Sequence, residues 1–441
     1  MRLDELRGRR VVLLGLGEDV RAALPSILAA GPADLVLVDS GTAHSPGSPG
    51  SAGSGSAVAG RADLRVVELE DAAATAEVFV RSPGFPRYLP ALVEARQRGA
   101  LMTTPVDLWM GSRAPGQRVV AITGTKGKST TTDLVGHFAR EAGLRVGLAG
   151  NLGVPVFAEG WDSSAPIVVL EVSSYQAADL HHLADIAVLT SLSEDHLDWH
   201  GGIERYHSDK LRVLHQGAAV APVVIVSADS SGAMHAAEDF TPVVVVPPES
   251  GPALPQQRVQ NAALAAEVIR QLGGPSMSAE QILAAAARSM PGRLDLCPTV
   301  AGGRFAAVQF VDDALASNPS ATAAALTWAR QQERTTVVIL GGADRGVTAG
   351  PLLDEAALWA PGMLRVVALP ENGHDMAMRA GLEVAGAAED VGRAVPLAAS
   401  LLSTAGSPGI VLFSPAAPTP SGSGNWADRS AAFRRAIAEL A

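Results

Sequence analysis

The stretch Val119-Val120-Ala121-Ile122-Thr123-Gly124-Thr125-Lys126-Gly127-Lys128-Ser129-Thr130 decides how this chain is read. Its first four residues are apolar and mostly β-branched, the pattern of a buried strand. Two glycines and a Gly-Lys-Ser follow, and from Asp133 to Ala142 the residues Leu134, Val135 and Phe138 recur at helical spacing. Strand, glycine loop and helix, in that order, gather backbone N–H groups and a helix N-terminus around an anion. Lys128 then reaches the outer phosphates of a nucleoside triphosphate, and the Ser129 hydroxyl ligates Mg2+. The loop is a shortened form, because the leading glycine of G-x-x-x-x-G-K-S would fall on Ile122. The alternative is an ordinary tight turn from strand to helix.

The chain has 441 residues, 47% of them apolar and 18% charged, with a net charge of -11. At roughly 150 residues per domain, that length predicts about three domains. No long Lys/Arg run occurs, and with the acidic balance this argues against nucleic acid or an anionic membrane as the main partner. Cys297 is the single cysteine, so no intrachain disulfide can form. The start Met1-Arg2-Leu3-Asp4-Glu5 is not that of a signal peptide, and no unbroken apolar run of ~18 residues is found. A soluble cytoplasmic protein is expected.

Residues 1–104 read as a small α/β domain. Arg10–Leu14 is a strand followed by Gly15-Leu16-Gly17-Glu18-Asp19-Val20, which lacks the third glycine of the dinucleotide fingerprint. A strand over 35–38 ends in Asp39, a position suited to a ribose, and residues 41–60 read as a Gly/Ser/Ala/Pro-rich mobile loop. Strands over 64–67 and 78–80 lead to Ser82-Pro83-Gly84. A nucleoside-diphosphate site and a purely structural Rossmann-like domain both fit.

Residues 105–291 begin with the phosphate loop. The glycine-rich Gly147–Gly153 precedes a strand, 167–170, with Glu171 at its carboxyl end and Ser173 and Gln176 just after. Sites in parallel α/β sheets collect at such ends, so Glu171 is a candidate Mg2+ ligand, or else an acid facing solvent. A strand over 186–190 delivers Glu194-Asp195-His196-Leu197-Asp198-Trp199-His200. His196 and His200 are four apart, but the H-E-x-x-H pattern of zinc sites is absent. His196 reads equally as a ligand or a structural residue. Spacing marks Lys210 only as a helix-surface cation. Strands are expected near 223–226 and 243–246, a helix opening near Asn261, and a boundary at Met290-Pro291-Gly292-Arg293. Residues 292–441 read as another α/β unit. In it the strands 308–311, 336–340 and 410–413 end in Asp313, in Gly341–Gly346 with Arg345, and in Ser414-Pro415-Ala416, and a terminal helix runs from Trp426. Three polar strand ends favour a site over chance.

Taken in order, Gly124–Thr130, Glu171–Gln176, Glu194–Asp198, Tyr206 with Lys210, Asn261, Arg293, Asp313 and Ser414–Ala416 resemble the Mur ligases of peptidoglycan synthesis over nearly the whole chain. The resemblance implies three α/β domains: a Rossmann-like UDP-binding domain (1–104), a P-loop ATPase-type central domain with a mostly parallel sheet (105–291) and a Rossmann-like glutamate-binding domain (292–441). It implies a monomeric, ADP-forming ligase that uses ATP and two Mg2+ ions. The ligase adds glutamate to UDP-N-acetylmuramoyl-L-alanine through an acyl phosphate. Catalysis would fall to Lys128, His196 and Lys210. ATP would be held by Gly124, Thr125, Lys126, Gly127, Lys128, Ser129, Thr130, Asn261, Arg293 and Asp313. Metal would be held by Ser129, Glu171, His196 and a carbamylated Lys210. The acceptor substrate and glutamate would lie along Gly17, Asp39, Ser82, Gly84, Asn151, Ser173, Gln176, Arg345 and Ser414.

Two departures bear on stereochemistry. Leu315 stands where ligases that use D-glutamate carry a lysine, and Arg345 replaces another lysine. Guanidinium and ammonium groups bind carboxylates with different geometry. With Lys126, the Leu197–Gly201 run and the Gly341–Gly346 loop, these residues point to the form that uses L-glutamate, with D-glutamate as the alternative. Arg258 stands where relatives carry a second asparagine. A folylpolyglutamate-synthase-like ligase and a non-catalytic nucleotide-binding protein are the readings from other classes.

Overall fold

The computed structural model describes residues 1–39, 64–151, 154–216, 219–238, 240–249, 254–288, 290–300, 302–344, 348–403, 408–420 and 422–440. The expected loop at 41–60 and Arg345 lie outside them. The chain divides into two compact units: Met1–Glu249 with Gln256–Ala286, and Ser250–Pro255 with Ala287–Ala441.

The first unit holds two parallel sheets. In the first, β1 (Arg10–Leu14), β2 (Asp34–Val38), β3 (Arg65–Val66), β4 (Val78–Arg81) and β5 (Leu101–Thr103) are ordered β3-β2-β1-β4-β5. In the second, β6 (Arg118–Thr123), β7 (Val146–Gly150), β8 (Ile167–Glu171) and β9 (Ile186–Leu189) are joined by strands further on. A short antiparallel pair, β10 (His215–Gln216) and β11 (Ala219–Val220), precedes β12 (Val223–Ser227) and β13 (Val243–Val245). The order is β13-β12-β9-β6-β8-β7. Strands β8 and β9 are buried along their whole length and β6 from Val119 on, as expected when helices cover both faces of a parallel sheet.

The Gly147–Gly150 stretch, read from sequence only as glycine-rich, is strand β7. Its glycines answer to crowding: a Cβ on Gly147 would lie 2.2 Å from the Asp162 carbonyl oxygen, and one on Gly150 would lie 2.3 Å from that of Glu171. The phosphate-loop helix starts at Lys128 and runs to Glu141, because Gly127 (φ 88°) makes the left-handed turn that admits it. The helix that contains Asn261 runs Gln256–Gln271, so Asn261 lies inside it rather than at its start.

Buried charge joins the first two sheets. Arg81, at the end of β4, is fully buried; its Nε donates to Asp179 Oδ2 (2.8 Å) and its Nη2 to the Tyr175 carbonyl (2.5 Å). Arg87 Nε donates to the other Asp179 oxygen (2.6 Å). Burial raises the Asp179 carboxyl, but the two guanidinium groups outweigh it and hold it below the usual range. Asp107, also fully buried, accepts from the backbone N–H groups of His181 (2.7 Å) and His182 (3.2 Å) and from Thr103 Oγ1 (2.8 Å).

The second unit carries β14 (Asp295–Leu296), β15 (Val308–Asp312), β16 (Thr335–Leu340), β17 (Leu364–Ala368), β18 (Val384–Ala387) and β19 (Gly409–Phe413), ordered β14-β15-β19-β16-β17-β18. Only β14 is antiparallel to its neighbour. The last strand, β19, inserts between β15 and β16, so the three polar strand ends noted in the sequence come from adjacent strands at one edge. Its terminal helix is Trp426–Ala438.

Replacing Asp179 with Ala strands Arg81 and Arg87 without a counter-ion. It should cost about 3–5 kcal/mol, read as a lowered denaturant midpoint of the first unit.

Candidate active site

Strand β6 lies between β8 and β9, all parallel, so the loops after these three strands meet at one edge. Two glycines give the loop after β6 its shape. A Cβ on Gly124 (φ 150°) would lie 2.0 Å from Thr190 Oγ1, and one on Gly127 would lie 2.5 Å from Asn261 Oδ1. The chain after β9 holds the loop in place: Thr125 N donates to the Ser191 carbonyl (2.9 Å) and Lys126 N to Ser191 Oγ (2.9 Å), while Thr190 Oγ1 donates to the Lys126 carbonyl (2.5 Å). Lys128 Nζ folds over the loop onto the carbonyls of Gly124 (3.0 Å) and Thr125 (3.3 Å). Ser129 and Thr130 occupy the first turn of the helix, beside these amides.

Glu171 is buried at the end of β8. Oε1 accepts from Asn151 Nδ2 (2.9 Å), whereas Oε2 is buried with no hydrogen-bond partner among the described residues. A buried carboxylate oxygen without a donor is costly unless a cation or ligand completes it. Glu171 therefore does not face solvent.

Lys210 is the sharpest departure from spacing alone. The reading as a surface cation is overturned: the side chain is 2% exposed, and Nζ donates to the Gly124 carbonyl (3.0 Å). Its helix, Ile203–Leu211, is amphipathic in the opposite sense, with Tyr206, Asp209 and Lys210 all turned inward. Burial, reinforced by Lys128 and Lys126, takes the ammonium well below the ordinary lysine range, against the pull of Asp195 and Glu171. The neutral amine is thereby favoured over what an exposed lysine would show. Tyr206 OH lies 2.9 Å from Thr125 Oγ1, so the same helix face supports the loop at two points.

His196 adopts a left-handed conformation (φ 50°) at the start of the one-turn helix Leu197–His200. Its ring packs 4.8 Å from that of Tyr175. Burial, with Lys210, Lys126 and Lys128 nearby, lowers its pKa to about 4 despite Asp195. Burial also raises the Asp195 carboxyl, but Lys126, 3.6 Å away, brings it below the usual range.

Ser173 and Gln176 do not point freely into a cleft. They form a reciprocal cap on the helix Ser174–Ala177, and Gln176 Nε2 donates to Asp19 Oδ2 (2.9 Å) in the helix that follows β1. Asp19, raised by burial, was missed from sequence, as were Tyr175, Thr190 and Ser191. The place of Ser191 just after a buried strand was the available signal. Gly17 precedes the Asp19 helix with Ser82 packed on it; a Cβ there would lie 2.2 Å from Ser82 Oγ. Asp39, at the end of β2, is half-buried, and Gly84 has open space around it.

Arg293, Asp313 and Ser414 belong to the second unit. Ser414 Oγ donates to Asp313 Oδ2 (2.8 Å), and Asp313 Oδ1 accepts from Leu294 N (3.0 Å), which ties the ends of β19 and β15 together.

Residues 122–266 match the Mur ligase middle domain. A UDP-N-acetylmuramoyl-L-alanine--L-glutamate ligase from Micromonospora sp. is 35% identical, the alignment covering 100% of this chain and 99% of that protein. The chain belongs to the Mur ligase family. A UDP-N-acetylmuramoylalanine--D-glutamate ligase from Novosphingobium aromaticivorans is 36% identical, over 72% of each chain. The MurF ligase of Thermotoga maritima, solved in complex with ADP, shares the fold at a TM-score of 0.55 and 15% identity, covering 100% of this chain and 97% of that one. This Mur ligase is an ATP-dependent, ADP-forming enzyme of multidomain α/β architecture. Among its described residues, no helix is long and apolar enough to cross a membrane.

The depressed His196 pKa has a consequence for stability. Between the unfolded value of 6.5 and the folded value of about 4, the unfolded chain binds the extra proton, so stability falls as pH falls through that window. The thermal midpoint of the ligand-free protein should drop from pH 7 to about pH 5, and His196→Gln should flatten that drop.

Proposed function

We propose that this Mur ligase joins L-glutamate to UDP-N-acetylmuramoyl-L-alanine at the expense of ATP, in the assembly of peptidoglycan precursors. The nucleotide-sugar would lie against residues 1–104, ATP against 105–291 and glutamate against 292–441. The observation that carries the reading is the single edge where the glycine loop with Lys128, the unpartnered Glu171 oxygen and the buried Lys210 amine stand together. L-glutamate is favoured because the relatives named for it align over the full chain at 34–35% identity, whereas the D-glutamate relative aligns over 72%. Leu315 in place of a lysine agrees with that choice.

A carboxylate is a poor electrophile because its oxygen leaves badly. Passing the γ-phosphoryl group of ATP to the alanine carboxylate makes an acyl phosphate and ADP. The glutamate amine then attacks the acyl carbon and phosphate leaves. The loop amides from Thr125 to Ser129 and the Lys128 ammonium would hold the phosphates where negative charge builds. Divalent metal held by Ser129 and Glu171 would neutralise phosphate charge. A neutral Lys210 amine can add CO2 and release a proton, which would turn it into a carbamate, an anionic oxygen donor, beside Glu171. His196, neutral at pH 7, would be a ring donor or acceptor rather than a further cation. Asn261, packed on Gly127, would contact the nucleotide.

Ligation assayed with each glutamate enantiomer should proceed with L-glutamate; turnover of the D form alone rejects the assignment. Lys128→Met should lower kcat by roughly a thousandfold or more, measured as phosphate release, with the fold retained by circular dichroism.

A further inference from the structure

The face of the Ile203–Leu211 helix that holds Lys210 under the glycine loop is only half of its setting. On the other side, Asp209 is 6% exposed, and its Oδ2 receives two donors. One is His200 Nδ1 at 2.7 Å, and the other is the Tyr88 hydroxyl. His200 is fully buried, and its Nε2 lies 3.1 Å from Ser174 Oγ at the start of the helix behind Glu171. With Asp209 accepting at Nδ1, the imidazole donates there, and its Nε2 faces the Ser174 hydroxyl. Tyr88 stands in the segment Ser82–Leu89 after β4, which also holds Ser82 and Gly84. Arg205 of the Lys210 helix covers the Tyr88 ring at 4.6 Å, and Arg87 lies 5.0 Å from it. Burial, with the bond to Asp209, keeps the phenol protonated and donating.

Asp209 therefore touches three elements: the first sheet through Tyr88, the one-turn helix beside His196 through His200, and the Glu171 segment through that imidazole and Ser174. We propose that Asp209 is a positioning residue that couples occupancy of the Ser82–Leu89 segment by the nucleotide-sugar to the seating of Lys210. The proposal rests on the function given above. A displacement of the Ile203–Leu211 helix moves Lys210 and Tyr206 together, because both are anchored to the loop that holds the phosphates. Reaction geometry tolerates little such displacement; an error of about 1 Å can cost a hundredfold in rate. Arg81, Arg87 and Asp179 already hold the two sheets together, so Tyr88 is not needed merely to join them.

The test uses Tyr88→Phe and Asp209→Asn in the full chain, each nearly isosteric. Each should lower kcat about tenfold, with the KM for ATP within about twofold and the thermal midpoint little changed. The double variant should be no slower than the slower single one, since both break one chain of contacts. Addition of UDP-N-acetylmuramoyl-L-alanine without ATP should slow amide hydrogen exchange over residues 203–211 in the wild type and not in Tyr88→Phe. Variants with full kcat, a double variant whose loss is the product of the two, or exchange slowing that survives Tyr88→Phe would each overturn the coupling while an active wild type leaves the proposed function standing. A wild type that neither binds nor ligates this substrate would overturn both.

Discussion

A lysine nitrogen held in the dry interior, hydrogen-bonded to a backbone carbonyl rather than to a carboxylate, is the constraint from which the catalytic edge follows. An ammonium in that place would be poorly compensated, with Lys128 and Lys126 adding repulsion, so the balance shifts toward the neutral amine. The cost of hiding such a side chain is met by its surroundings. The Gly124 carbonyl accepts from it, the Tyr206 ring lies 5.0 Å away, and the Glu171 carboxyl lies in the same neighbourhood. The glycine loop, the aromatic residue and the acid are thus parts of one environment.

Around that point, the sheet does the assembling. Parallel strands send their carboxyl ends to one side, and placing β6 between β8 and β9 brings the loop, the acid and the Ser191–His196 segment together although they are far apart in sequence. The second unit repeats the device, with β19 inserted late between β15 and β16 so that Ser414 meets Asp313.

Much of this was legible in the residues. Val119–Ile122 and Ile167–Leu170 read as strands, and the glycines of 124–127 read as the turn of a phosphate loop. What escaped had a common cause. Lys210 and Asp209 sit in a polar helix whose charged side is the inner one, so amphipathic reasoning pointed the wrong way. Gly147–Gly150 lacks the β-branched residues that mark a strand, because the Asp162 and Glu171 carbonyls leave no space for them. Asp19 and Gln176, and likewise Tyr88 and Asp209, pair across sheets, and no local pattern reports a partner a hundred residues away.

The arginine pair on Asp179 also bears on how this protein can be divided. The seam near residue 104 looks like a natural place to cut, since one sheet ends and another begins there. Yet a fragment stopping at that point would take Arg81 and Arg87 away from their shared anion, and the remainder would keep an acid built for two absent cations. Each piece would expose to water charges that the intact chain buries and pairs, so the seam is an ion-paired contact surface rather than a bare linker.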